Sequence, residues 1–214
     1  MSQPSTARRA ALIAAALIVL VIAGAITFIL IGPDPAKNPA LASAHSPMAG
    51  DAKAPVHVVE FLDPACETCA VFYPYMKQLA AENPGRIRIS LRIVPLHKGS
   101  ESVAAMIEAA RLQDKYWNAL EALLATQDLW VDNHVVQPAN AMRVLSGAGI
   151  DIAKLEADMK SPKVAENLAK DLEDAQALRV TKTPEFFVNG RQMESFGKTQ
   201  LRRLVLDAVS RAPR

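Results

Sequence analysis

The chain has 214 residues, a formal net charge of +2 and an apolar fraction of 50%. So small a charge, carried by dispersed basic residues, excludes the electrostatic footprint of a nucleic-acid binder. The length suits one domain of ordinary size with a short accessory region.

Much of the apolar excess sits in one block, Ala10 to Ile31, which carries no charge. It is long enough to cross a bilayer, which takes about 20 residues. Arg8 and Arg9 precede it and the first charges beyond it are Asp34 and Lys37, so the basic bias puts residues 1–9 in the cytoplasm. Secretory apolar regions run to about 7–15 residues, with a small-residue cleavage site close behind. Here the nearest such pattern, Ala42-Ser43-Ala44, lies well past the end of the block. Residues 10–31 are therefore read as a retained transmembrane signal-anchor, with everything after them exported. Residues 32–54, interrupted by Pro33, Pro35, Pro39 and Pro47, read as a semi-extended linker of up to about 3 Å per residue.

The folded part is expected over 55–214. Val56 to Leu62 is an apolar run of strand length, and Ala70 to Ala81 reads as a helix containing Pro74. After the break at Asn83-Pro84-Gly85, Arg86 to Ile93 alternates polar and apolar residues, the period of a strand with one buried face. Its arginines are expected on the solvated face. A helical block follows at about 98–180. Tyr116, Trp117, Leu120, Leu123 and Leu124 repeat at helical spacing as core residues. Pro138 suits the first turn of a helix, and Gly147 and Gly149 its end. Asp151 and Ser161-Pro162 are further helix starts. Glu185 to Val188 returns to strand, Asn189-Gly190 is a hairpin turn, and Leu201, Leu204, Val205 and Ala208 line a closing helix. The order is α/β with a helical insertion.

Cys66-Glu67-Thr68-Cys69 holds the only two cysteines. A CxxC between a strand and a helix reads as a redox pair. A purely structural disulfide would close too short a loop to stabilise much. A closed zinc site needs four ligands, and His45, His57, His97 and His134 are scattered, with no second CxxC. No metal site and no cofactor beyond the cysteine pair is expected. Cys66, at or just before the first helical turn, gains from unpaired N–H groups and the helix dipole and is the expected exposed nucleophile. Cys69, one turn on, faces inward and resolves the mixed disulfide. The carboxylate of Glu67 beside the thiolate is expected to raise the Cys66 pKa and weaken the disulfide as an oxidant. Two other readings stay open: a soft-metal (copper) handler, and a peptide-binding or chaperone module whose thiols are incidental.

This order of motifs resembles the DsbA-like branch of thioredoxin-fold thiol–disulfide oxidoreductases, from Val56 to Val209. The resemblance rests on the CxxC after a strand and on Glu60, six positions before the first cysteine. It rests also on Thr183-Pro184 leading into a hairpin, and on the insertion with Lys115-Tyr116-Trp117. It implies a thioredoxin-like fold in which Cys66 and Cys69 exchange disulfides with cysteines of exported proteins. It implies that Glu60 relays a proton, that Thr183 and a cis Pro184 bind the substrate chain, and that Glu67 and Thr68 tune the thiol. A membrane redox partner would recharge the pair, a DsbB-like oxidase or a DsbD-like reductase. The anchor would hold the domain on the periplasmic side of a bacterial inner membrane. The chain departs from DsbA proper in having Glu-Thr between its cysteines where DsbA proper has Pro-His.

Overall fold

The computed structural model describes residues 16–21 and 38–213. Residues 16–21 are helical, and among the described residues no helix is long and apolar enough to cross a membrane. The remainder of the span expected over 10–31 lies outside them.

Strand β1 (Met48–Ala49) is followed by β2 (Val56–Leu62), helix α1 (Glu67–Ala81) and β3 (Ile87–Ile93). Then come α2 (Ser100–Arg111), α3 (Tyr116–Ala125), the short α4 (Gln127–Trp130) and a hairpin of β4 (Val131–Asp132) and β5 (Val135–Val136). Helices α5 (Pro138–Gly147), α6 (Ile152–Asp158) and α7 (Pro162–Ala177) complete the insertion. β6 (Glu185–Val188), β7 (Arg191–Gln192) and α8 (Lys198–Arg211) close the chain. The main sheet has the order β1-β3-β2-β6-β7. Only β2 and β3 run parallel, and α1 supplies the crossover that a parallel pair requires.

Local chemistry explains the boundaries. Asp151 and Ser161 cap α6 and α7 by accepting from the N–H groups of Lys154 and Val164. Pro138 and Pro162 sit in first turns, where a missing N–H costs nothing. Asn189 and Gly190 both take positive φ, as a two-residue hairpin turn demands.

Strand alternation assigns side chains to two faces. Val56, Val58 and Leu62 of β2 and Ile87, Ile89, Leu91 and Ile93 of β3 join the main core with α1, the insertion and α8. Val59 and Phe61 point the other way, into a second core with Leu41, Val94, Ala175, Val180 and Phe187. Glu60 shares the parity of Val58 and Leu62, so it lies on the α1 face.

The second face corrects the reading of β3 as half-solvated. Arg92 is fully buried. Its Nε lies 3.1 Å from Asp174 and 3.7 Å from Asp171 of α7. Arg88 donates to the carbonyls of Ala52 and Ala54, and Arg86 to those of Val209, Ala212 and Pro213. The strand forms as its period predicts, but its second face is dry because α7 and the segment before β2 cover it. That segment is the proline-rich stretch read as a linker. Over 38–54 it packs on the domain: Ala40 and Leu41 are buried, and β1 pairs with β3. Gly50 takes φ +91°, and a Cβ there would meet the Ile87 carbonyl oxygen at 2.6 Å. Residues 32–37 lie outside the described residues.

Asp171 ties this layer together. It accepts from the Ile93 N–H at 2.8 Å and lies 2.7 Å from His45 Nε2. Burial raises its carboxyl pKa, so the cluster costs desolvation and depends on its partners. Removing one member of a buried ionic group costs about 3–5 kcal/mol, since the others stay buried without compensation. Asp171→Ala should therefore lower the unfolding free energy by about 3 kcal/mol in urea denaturation. A loss below about 1 kcal/mol would show that the ionic cluster around Asp171 contributes little to holding the N-terminal segment.

Candidate active site

The pair sits where β2 hands over to α1. Cys66 is the N-cap residue, in extended conformation, and α1 begins at Glu67. Its first N–H groups have no intrahelical partner and face the sulfur. Cys69 falls on the buried stripe of the helix with Phe72, Tyr73, Met76 and Leu79. Pro74 lies inside the same helix. Both thiols are free.

The expected exposure is only relative. Cys66 keeps 6% of its surface accessible and Cys69 none, so a partner reaches Cys66 through a small opening. Across from it, the Thr183–Pro184 peptide bond is cis, as the resemblance implies. The Cys66 thiol donates to the Thr183 carbonyl at 3.4 Å. The two parts of the site, 117 positions apart in sequence, thus meet at one sulfur.

The thiols differ in acidity. Cys66 is brought down from 9.0 to about 6. The Cys69 thiol contributes most by hydrogen bonding to its sulfur. Burial opposes this, and the N–H groups of Cys69 and Thr68 and the Thr183 side chain assist. The Thr183 carbonyl holds the proton of the neutral thiol, but the net direction is downward. Cys69 is pushed well up, by burial first, then by hydrogen bonding to Cys66 and by the nearby charge of Glu60.

Glu60 is fully buried, and neither carboxyl oxygen has a hydrogen-bond partner among the described residues. Burial raises its pKa well above the ordinary range, and Cys66 adds to this. Of the two intervening residues, Thr68 acts through its backbone N–H. Glu67 faces outward: its side chain is 75% exposed, 3.9 Å from His134 Nδ1.

Asp63, His97 and Gln127 also belong to the site. Asp63 is fully buried. It accepts from the N–H groups of Ala65, Leu96 and His97, from His97 Nδ1 at 2.8 Å and from Ser100 Oγ. A charged residue three before a CxxC, at the end of a largely apolar strand, is the signal available in the sequence. Gln127 carried none, since its partners are backbone atoms distant in sequence.

A family model described as Thioredoxin matches residues 42–207. The fold is shared with a thioredoxin-like oxidoreductase from Silicibacter pomeroyi, at TM-score 0.71 and 27% identity over 82% of this chain and 99% of that one. BdbD from Bacillus subtilis aligns at TM-score 0.66 and 22% identity, over 78% and 94% of the two chains. The thiol-disulfide exchange protein alpha-DsbA2 from Wolbachia pipientis aligns at 0.66 and 21%, over 79% and 90%. Among curated proteins, a Na(+)/H(+) antiporter NhaA 3 of Salinispora tropica is 31% identical over 67% of this chain but 21% of its own length. The NhaA of Herminiimonas arsenicoxydans is 28% identical over 77% of this chain and 26% of its own length. The chain thus spans about a fifth to a quarter of these relatives.

The two acidities give a pH test. Reduction takes up two protons below the Cys66 pKa and one above it. The reduction potential should therefore fall by about 60 mV per pH unit below pH 6 and about 30 mV above it; a single steep slope up to pH 8 would contradict the assignment. In the reduced protein the folded Cys66 has already lost the proton that the unfolded chain keeps. Its contribution to stability is thus complete above pH 9 and is lost as pH falls through 6. The chain belongs to the thioredoxin family, in the DsbA-like form of the fold.

Proposed function

We propose that this chain is a protein thiol–disulfide oxidoreductase acting on cysteines of exported proteins. We also propose that residues 10–31 hold it in a bacterial inner membrane, with the folded domain that follows facing the periplasm. The observation that carries the reading is the Cys66 sulfur, set at a helix N-terminus against the cis-proline loop and far more acidic than its partner. That membrane antiporters several times its length contain a related segment suits a domain that works beside a membrane.

In the oxidised state a substrate thiolate attacks Cys66 Sγ. A substrate–Cys66 disulfide forms, the Cys66–Cys69 bond breaks, and Cys69 leaves as a thiolate. A thiol of such high pKa must be protonated, and the neutral carboxyl of Glu60 supplies the proton. A second substrate thiolate then attacks the substrate sulfur of the mixed disulfide and expels Cys66. Its low pKa makes it the better leaving group. The substrate loses two electrons and gains a disulfide, and the protein ends as the dithiol. The cis-proline loop holds the incoming chain in extended form through the Thr183 backbone. A membrane partner, DsbB-like or DsbD-like, resets the pair. A Cys66 pKa of about 6 lies between the values of about 7 for thioredoxin and 3.5 for DsbA, which favours a disulfide of intermediate oxidising strength.

Oxidised protein mixed with a reduced two-cysteine peptide should transfer its disulfide, and Cys66→Ser should abolish transfer. Cys69→Ser, mixed instead with the disulfide form of the peptide, should accumulate a mixed disulfide through Cys66, because no second thiol is left to resolve it. Full activity of Cys66→Ser would leave peptide binding as the function. Glu60→Gln should slow release of Cys69 at least about ten-fold with the fold unchanged by circular dichroism; an unaltered rate across pH would remove the relay.

A further inference from the structure

Between α1 and the insertion lies an open cleft lined by Glu67, Gln127, Asp128, Val131, Asn133 and His134. On its Cys66 side the Gln127 side chain turns away from solvent. Its Nε2 donates to the Pro64 carbonyl at 2.6 Å and to the Cys66 carbonyl at 3.1 Å. These are the carbonyls that bracket the nucleophile's approach to α1. The Cys66 carbonyl otherwise accepts only the helical bond from the Ala70 N–H, at 3.2 Å. The Cys66 N–H is held by the Asp63 carbonyl at 3.0 Å. Gln127 therefore supplies the second side of a clamp on the peptide units flanking Cys66.

The clamp has a rigid base. Gln127 opens α4, whose last residue, Trp130, is fully buried and donates through Nε1 to the Leu123 carbonyl at 2.9 Å. The Gln137 N–H bonds the Trp130 carbonyl at 2.7 Å, and Thr126 Oγ1 bonds the Ala122 carbonyl at 2.7 Å. A four-residue helix fixed at both ends can aim one amide reproducibly, as supporting contacts do for reactive groups.

We propose that Gln127 is a positioning residue for disulfide exchange, tying the active-site loop to the helical insertion through the carbonyls of Pro64 and Cys66. It touches neither sulfur. It holds the Cys66–Glu67 peptide unit so that the first N–H groups of α1 stay aimed at Cys66 Sγ. Without the amide, that unit is held on one side only, and the N–H groups of Thr68 and Cys69 are less well aligned with the thiolate. The inference rests on Cys66 being the attacking thiol. The charged or titrating groups that bear on that sulfur or line the cleft are Glu60 and Cys69 from the core and Glu67, Asp128 and His134 from the cleft. A neutral substitution of Gln127 alters none of these charges.

The test is the pH profile of alkylation of the reduced full-length chain by iodoacetamide, with the modified cysteine identified by mass spectrometry. Gln127→Met keeps the length of the side chain and removes the donor. Loss of one modest hydrogen bond to the loop should raise the Cys66 midpoint and slow its alkylation at pH 6 about three-fold. Gln127→Leu, a second neutral variant, should do the same, and melting temperatures are recorded for both. A lower melting temperature with an unmoved Cys66 profile would show that Gln127 merely stabilises the fold, and would overturn the inference. If wild-type Cys66 is not the thiol modified near pH 6, the functional reading falls first and this inference with it.

Discussion

One buried carboxylate holds the site in register. Asp63 ends β2, and its two oxygens gather the N–H groups of Ala65, Leu96 and His97 together with the side chains of His97 and Ser100. Its own carbonyl takes the Cys66 N–H. A carboxylate taken out of solvent needs donors around its oxygens, so the loops after β2 and β3 are drawn to the same point. That fixes the direction in which the chain enters α1, and thereby where the Cys66 sulfur lies. The other contacts of the site refine a position that Asp63 has already set.

Chemistry then follows from unequal surroundings of two identical side chains. Cys66 meets N–H groups and a neighbouring thiol; Cys69 lies one helical turn deeper among apolar side chains and close to the charge of Glu60. The first is prepared to leave as a thiolate and the second needs a proton. Glu60, on the strand face covered by α1 and without any hydrogen-bond partner among the described residues, is the costly group in this arrangement. A buried acid left unsatisfied is a poor structural choice, and the proton transfer proposed for Glu60 would account for it.

The rest of the molecule isolates that asymmetry from water. The insertion covers α1 and reaches the active-site loop through Gln127. On the opposite face of the sheet, α7 and the segment before β2 bury Arg92 with Asp171, Asp174 and His45. Residues 38–54 are therefore part of the domain's packing, and the freely extended portion of the proline-rich stretch cannot include them.

The sequence by itself determined the order of the main elements, the place of the cysteine pair between strand and helix, the turn at Asn189-Gly190 and the helix starts at Pro138, Asp151 and Ser161. These depend on hydrophobic period, on residues with restricted dihedrals and on caps acting within a few positions. It also placed Glu60 on an apolar strand, while its burial without a partner is a finding of the structure. Only the tertiary structure decided which strand faces are wet, because coverage of β3 by α7 and by residues 38–54 comes from distant parts of the chain. It decided that Trp130, rather than Trp117, is the fully buried tryptophan. It alone set Asp63 among its donors and brought Gln127 to the carbonyls of Pro64 and Cys66, since a side chain's bond to a remote backbone group leaves no periodic trace in the sequence.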